Sequence, residues 1–305
     1  MVDVCTYQKT KFKGLDAVVL ENERVRAVIL PEYGGKMVSF FDKVVDYEWL
    51  SQIDQPILDI PPKEADFSDY DLSGFDEIFT SLDRSLSDRK DIPAHGEVWT
   101  LPWAYNATND GVALQVRHPE IPYTLKKRIC LHSDGLKIKY EAVNQSEEPL
   151  PFLWTPHALL NADDNAEIEV PDGMTHMIKV EKEQMGSPGS THSNSVFTKH
   201  TGETNGVETK KRASIERFSF TQPLTEGWCS LVQPHINRKL TYHFSEAKVP
   251  YLGVSKIKGR KQKVALVPCT CDSQEVNGKD NTEAISSIPA QDSCTWTFSM
   301  NISKL

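Results

Sequence analysis

Alternation with a period of two dominates this chain. In RVRAVILP, Val25, Ala27 and Ile29 alternate with Arg24, Arg26 and Val28 until Pro31 stops the run. That pattern predicts a half-buried strand. GVALQVRH repeats it with Val112, Leu114 and Val116. LKKRICLHSDGLKIKYEAVN reads as a hairpin. Leu125, Ile129 and Leu131 share one face, with Lys127 its one polar break, and Lys126, Arg128 and Cys130 fall on the other. Asp134-Gly135 supplies a tight turn with φ > 0, after which Leu136, Ile138, Tyr140 and Ala142 resume the alternation. Further strands are expected in GWCSLVQP, KLTYHFS, VPYLGVS, KVALVPC and CTWTFSMNI. No window keeps helical spacing for three turns, and PPKEADFSDYDLSGFDEIF holds a short helical turn at most. Composition marks two long stretches as loops, one from about Gln52 to Arg89 and one from about Met185 to Lys211. Many short strands separated by Pro and Gly predict an all-β sandwich or barrel rather than βαβ units. With no repeat and no linker-like segment, one domain over residues 1–305 is expected.

Composition narrows the class. Of 305 residues, 39% are hydrophobic and 25% charged, and the formal net charge is −9. A packed core is feasible. The acidic balance argues against nucleic acid or an anionic membrane as partner. The start, MVDVCTYQKTKFKG, has no apolar signal core and no later stretch has the length of a membrane span, so a cytoplasmic protein is expected. The six cysteines are too sparse for a disulfide scaffold, and the C-x-C at Cys269 and Cys271 is not a zinc spacing. Free thiols and no structural metal are expected. YGGK lacks the Walker spacing, and the dinucleotide, zinc-protease and nucleophile-elbow motifs do not occur.

Five segments carry candidate chemistry. The glycine pair of YGGK calls for a turn with φ > 0 at one glycine, leaving Lys36 to point at a cleft. In GFDEIF, Asp76 and Glu77 stand beside Phe75 and Phe79; adjacent carboxylates usually mean a solvated loop, but beside aromatics in a cleft they can accept hydrogen bonds from hydroxyl groups. IPAHGEVWTLPW places His95, Glu97, Trp99 and Trp103 within nine positions. In FLWTPHALL, His157 follows Trp154 and Pro156 in an apolar run, which suits a core histidine as well as a catalyst. SIPAQDSCTW sets Asp292 at a turn. A carboxylate and an imidazole are the natural proton-transfer pair near neutral pH. Trp99 and Trp154, with Lys36, Asp76, Glu77 and Glu97, are candidates for the wall of a polar pocket.

The order of these segments, with VALVPC between the last two, resembles the galactose mutarotase-like family, the aldose 1-epimerases and their relatives. The resemblance runs from about Val25 to Ile302. AHGEVW is similar to the family's D-H-G-E-x-W stretch, and PFLWTPHALL to its P-F-x-x-x-x-H stretch. It implies a large antiparallel β-sandwich, the galactose mutarotase-like supersandwich, with a sugar cleft. It also implies interconversion of the α and β anomers of an aldohexose by acid/base ring opening, without cofactor or metal. His157 would then be the acid, His95 an auxiliary group and Asp292 the base. Two positions depart from the pattern. Asp292 stands for a glutamate and is one methylene shorter, and a misplacement of about 1 Å can cost ~10²-fold in rate. Val267 stands where relatives often carry an acidic residue. Two alternatives follow: a carbohydrate-binding member without catalysis, and a hexose-phosphate 1-epimerase. The second would need cations from Lys36, Arg84, Arg89 or the KIKGRKQK run at 256–263 to hold a phosphate. Sugar identity and oligomeric state are not fixed by the sequence.

Overall fold

The computed structural model describes residues 5–62, 65, 67, 70, 73–80, 96, 98–180, 195–196, 214–259, 261–271 and 286–305. The described regular structure is antiparallel β apart from a 3-10 turn at Pro234–Ile236. The first sheet holds β1 (Thr6–Phe12), β2 (Leu15–Glu21), β3 (Val25–Leu30), β4 (Lys36–Asp42), β5 (Tyr47–Glu48), β6 (Phe75–Phe79) and β12 (Trp154–Ala158). The second holds β7 (Ala104–Thr108), β8 (Gly111–Arg117), β9 (Tyr123–His132), β10 (Gly135–Asn144), β14 (Glu167–Glu169), β18 (Trp228–Gln233), β19 (Arg238–Phe244) and β23 (Ser293–Lys304). A third holds β13 (Leu160–Ala162), β15 (His176–Val180), β16 (Ser195–Val196), β17 (Ser214–Phe220), β20 (Tyr251–Lys258) and β21 (Gln262–Cys269). The short pair β11 (Leu150–Phe152) and β22 (Ser286–Ile288) stands beside them.

The main core joins these sheets. Val25, Ala27 and Ile29 of β3 meet Leu125, Ile129 and Leu131 of β9 and Leu252, Val254 and Leu266 of the third sheet in one buried cluster. A second cluster, with Val28, Leu30, Tyr33, Val38, Phe67 and Trp99, covers the opposite face of the first sheet. Hence β3 is covered on both faces, because Val28 is itself packed where alternation alone suggested solvent.

Three local expectations change in detail. The acidic loop predicted from Gln52 onward contains a strand, β6, all of whose residues are buried. At the β9–β10 hairpin the positive φ falls on Ser133, at 29°, rather than on Gly135. Gly135 is needed for space: a Cβ there would lie 3.0 Å from Asn301 Cα on β23 and closer still to the Met300 carbonyl oxygen. At the YGGK turn both glycines are left-handed, Gly34 and Gly35 each at φ 62°. None of the six cysteines is in a disulfide. No helix among the described residues is long and apolar enough to cross a membrane.

Candidate functional site

The site grows from the seam between the first and third sheets. Trp154 N–H donates to Thr270 Oγ1 at 2.8 Å, and Thr270 N–H donates to the Trp154 carbonyl at 3.1 Å. Further on, Leu160 pairs with Val264. Between these two contacts β21 runs beside β12, whose own ladder is with β6, and His157 of β12 and Val267 of β21 both lie in that stretch. On its other side His157 pairs with Asp76 of β6, and Val267 pairs with Gly253 of β20. Opposed residues of antiparallel strands share a face, with Cβ atoms about 5 Å apart. Asp76 and His157 therefore form a row across β6 and β12, and Val267 and Gly253 form a second pair on β21 and β20 beside it. Lys36 extends the row, because Met37 pairs with Phe75 and Lys36 Nζ lies 2.9 Å from Asp76 Oδ2.

This row lies on the face covered by the second cluster. Lys36 and Asp76 are buried, at 1% and 2% side-chain exposure, with Lys36 Nζ 5.2 Å from the centre of the Tyr33 ring. His157, Val267 and Gly253 are half-buried, so the row opens toward solvent at His157. The Phe67 ring meets His157 edge-on at 5.2 Å and Trp99 at 4.9 Å, giving the row an aromatic wall. Trp99 is fixed by its Nε1–H donating to the Gly96 carbonyl at 3.1 Å. Gly34 lets that segment approach: a Cβ there would sit 2.6 Å from Trp99 Cα.

The pleat sends Asp76 and Glu77 to opposite faces of β6. Glu77 points into the core, where Lys127 of β9 donates to its two oxygens at 2.8 and 2.7 Å and Tyr140 of β10 donates at 3.0 Å. Burial, then the Glu77 charge, raises the Tyr140 hydroxyl well above the usual phenol range and keeps it a donor. Lys127 Nζ also donates to the Gly35 carbonyl at 2.7 Å and lies 4.6 Å from the Trp103 ring centre. The one polar break in the apolar face of β9 is thus the partner of one of the two acidic residues of GFDEIF.

Of the residues expected at a sugar cleft, the structure gathers Lys36, Asp76, His157 and Trp99. Glu77, with no exposed side-chain surface, lies behind the sheet. Trp154 is 0% exposed and packs among Tyr140 at 5.0 Å, Trp296 at 5.4 Å and Phe298 at 6.0 Å, which leaves no ring face for a sugar. Lys36 does not project into the opening; it lies beneath it, bound to Asp76. His95, Glu97, Arg84 and Arg89 lie outside the described residues. The expected base, Asp292, is exposed in the turn after β22, where its Oδ1 accepts the Ser293 N–H at 2.7 Å and its carbonyl accepts the Asn144 N–H at 2.9 Å. That turn adjoins the Leu150 end of β11, which pairs with Ile288. His157 is seven residues further along the nearly extended β11–β12 run, roughly 20 Å of chain at ~3.3 Å per residue. The KIKGRKQK run forms the β20–β21 hairpin end, where Lys258 reaches Glu216 at 3.9 Å.

No family model matches the chain. A curated alpha-amylase of Pyrococcus furiosus is 24% identical over 170 residues, 46% of this chain and only 25% of that protein, so the chain spans a fraction of its length. Solved structures match throughout. A galactose mutarotase-like protein of Clostridium acetobutylicum superposes with TM-score 0.69 at 16% identity, covering 99% of both chains. A galactose mutarotase-like protein of Lactobacillus casei gives 0.67 at 14% identity, covering 94% of this chain and 100% of that one. A galactose mutarotase related enzyme of Lactobacillus acidophilus gives 0.66 at 12%, covering 94% and 97%.

Proposed function

The chain has the galactose mutarotase-like fold, and we propose that it takes a small sugar, an aldohexose, at the His157 row and acts there as an aldose 1-epimerase-like protein. The observation that carries this is a half-exposed His157 set directly beside Asp76, above a buried Lys36–Asp76 ion pair and against the Phe67–Trp99 wall. Opening a pyranose ring takes one proton from the anomeric hydroxyl and delivers one to the ring oxygen. His157 is the group that delivers it, and water at the solvent-open side of the half-buried His157 takes the anomeric proton. Asp76, with its charge already countered by Lys36, stands beside the imidazole and orients it. Positioned proton transfer of this kind is worth roughly 10²–10⁴ in rate.

One observation favours a second reading. The strand beside β12, β21, carries Val267, which can take no proton, and Asp292 is an exposed turn residue whose carboxylate accepts the Ser293 N–H. A sugar-binding member that does not exchange anomers meets that geometry. The phosphate-sugar reading is weaker, since Lys36 is committed to Asp76 and Lys258 to Glu216. The deciding experiment follows fresh α-D-glucose and α-D-galactose by polarimetry, alongside binding by NMR. Exchange that disappears in His157→Gln supports the epimerase. Binding without exchange supports the binder. Neither binding nor exchange with any aldohexose removes the proposal.

A further inference from the structure

The strands that carry Lys36 and Asp76 are held together thinly. β4 and β6 share a single paired position, Met37 with Phe75. Elsewhere in the same sheet, β1 and β2 pair over seven positions. A junction of one pair leaves the two strands free to slide and twist unless side chains fix them. Two ion pairs do so, one on each face. In front, Lys36 meets Asp76 at 2.9 Å. Behind, Lys127 bonds the Gly35 carbonyl at 2.7 Å and Glu77 at 2.7 and 2.8 Å. Gly35 is the residue before Lys36, and Glu77 the residue after Asp76. One ammonium group therefore grips both strands one position away from the front pair. Gly35 is held to this arrangement by space as well as by φ, since a Cβ there would fall 3.2 Å from Lys127 Nζ and 3.1 Å from the Trp103 ring.

We propose that Lys127, through Glu77 and the Gly35 carbonyl, is a positioning residue for the sugar site: it sets Asp76, and through Asp76 the His157 imidazole, from the far side of the sheet. This rests on the sugar reading for its purpose, but the coupling itself does not. Lys127 touches no ligand. It acts by fixing where the carboxylate beside His157 stands, and so the ring's hydrogen bonding and charge.

The experiment pairs Glu77→Leu with Lys127→Met. A buried ion pair replaced by apolar residues of similar volume often leaves a protein as stable or more so. The double variant also leaves net charge unchanged, so a change at His157 cannot come from a lost charge behind the sheet. The groups set against His157 include Asp76 on β6 and the Phe67 ring, with Lys36 behind Asp76. Its imidazole is titrated by NMR, with the resonance identified in His157→Gln. The expected result is a stable double variant whose His157 midpoint moves by about half a unit or more, as a displaced neighbouring carboxylate requires. Sugar affinity is expected to fall at least ~5-fold, the loss of about one charge-assisted hydrogen bond. A stable double variant with an unmoved His157 overturns the proposal and leaves Lys127 as core packing. Should the double variant not fold, Tyr140→Phe loosens Glu77 without removing charge, and an unmoved His157 there overturns it equally. If His157 moves but the parent protein binds no sugar, the coupling stands and the sugar reading falls.

Discussion

Glu77→Gln separates a buried charge pair from an ordinary polar core contact. The substitution keeps side-chain shape and leaves an amide oxygen to accept from Tyr140, now 3.0 Å from a carboxylate oxygen. It also leaves Lys127, 1% exposed, with its charge uncompensated and with only the Gly35 carbonyl and the Trp103 ring as good partners. Removing one partner of a buried pair costs about 3–5 kcal/mol, because the other charge stays buried. The structure argues for the lower half of that range, since a carbonyl at 2.7 Å and a ring face at 4.6 Å both remain. For 305 residues the unfolding entropy is roughly 0.6 kcal/mol/K, so a loss of ~3–4 kcal/mol lowers Tm by about 5–7 °C. Thermal melts by circular dichroism, with urea titration as a second measure, read this directly. A drop below ~1 kcal/mol in both would refute a buried, mutually dependent pair, and would mean that Lys127 reaches water when Glu77 is neutral.

Other substitutions test other parts of the structure. Gly34→Ala should cost roughly 1–3 kcal/mol from its left-handed backbone alone, and more because the Trp99 backbone must retreat; wild-type stability together with unchanged Trp99 fluorescence would contradict the close approach. Asp292→Asn should leave sugar binding and any anomer exchange within about twofold, as expected of an exposed turn side chain; a large loss of turnover would return Asp292 to the mechanism. Glu216 is held below the usual carboxylate range by its hydrogen bond to Lys179, 3.1 Å away, with Lys258 and Lys256 adding to it. Its contribution is therefore complete above its unfolded pKa and fades as pH falls through the lowered folded value. Glu216→Gln should cost ~0.5 kcal/mol at pH 7, a typical surface pair, and nothing near pH 2; an equal cost at both would point to packing instead.

The strands that bury one face were legible in the sequence. Val112, Leu114 and Val116 alternate inward as expected, and so do Leu125, Ile129 and Leu131. The Lys127 break was legible too, but its partner was not. GFDEIF looked like a solvated loop because two carboxylates in six residues contradict burial, unless each meets a cation from a distant strand. Lys36 comes from β4 and Lys127 from β9, and no local pattern announces such a pairing. Trp154 was read toward the cleft because strand parity cannot say which face is which until the strand has a neighbour. The place of Asp292 depended on the same unknown: a turn residue's motif says what it is, while the register of β10 with β23 says where it is. His157 was legible by motif alone, and its neighbour Asp76 only through pairing.

The His157 site draws on four segments far apart in the chain: Lys36, Asp76, His157 and Val267. No fragment holding two of them can complete it, and β21, with Val267, comes beside β12 only when the last sheet has joined the first. Chains rich in such non-local pairings fold slowly, since loop closure comes before the contacts that reward it. Ligand binding should therefore be among the last signals to recover during refolding, after the circular dichroism of the sheets. A stalled or nascent chain would carry strands without a working site, and the ligand would hold only the finished molecule.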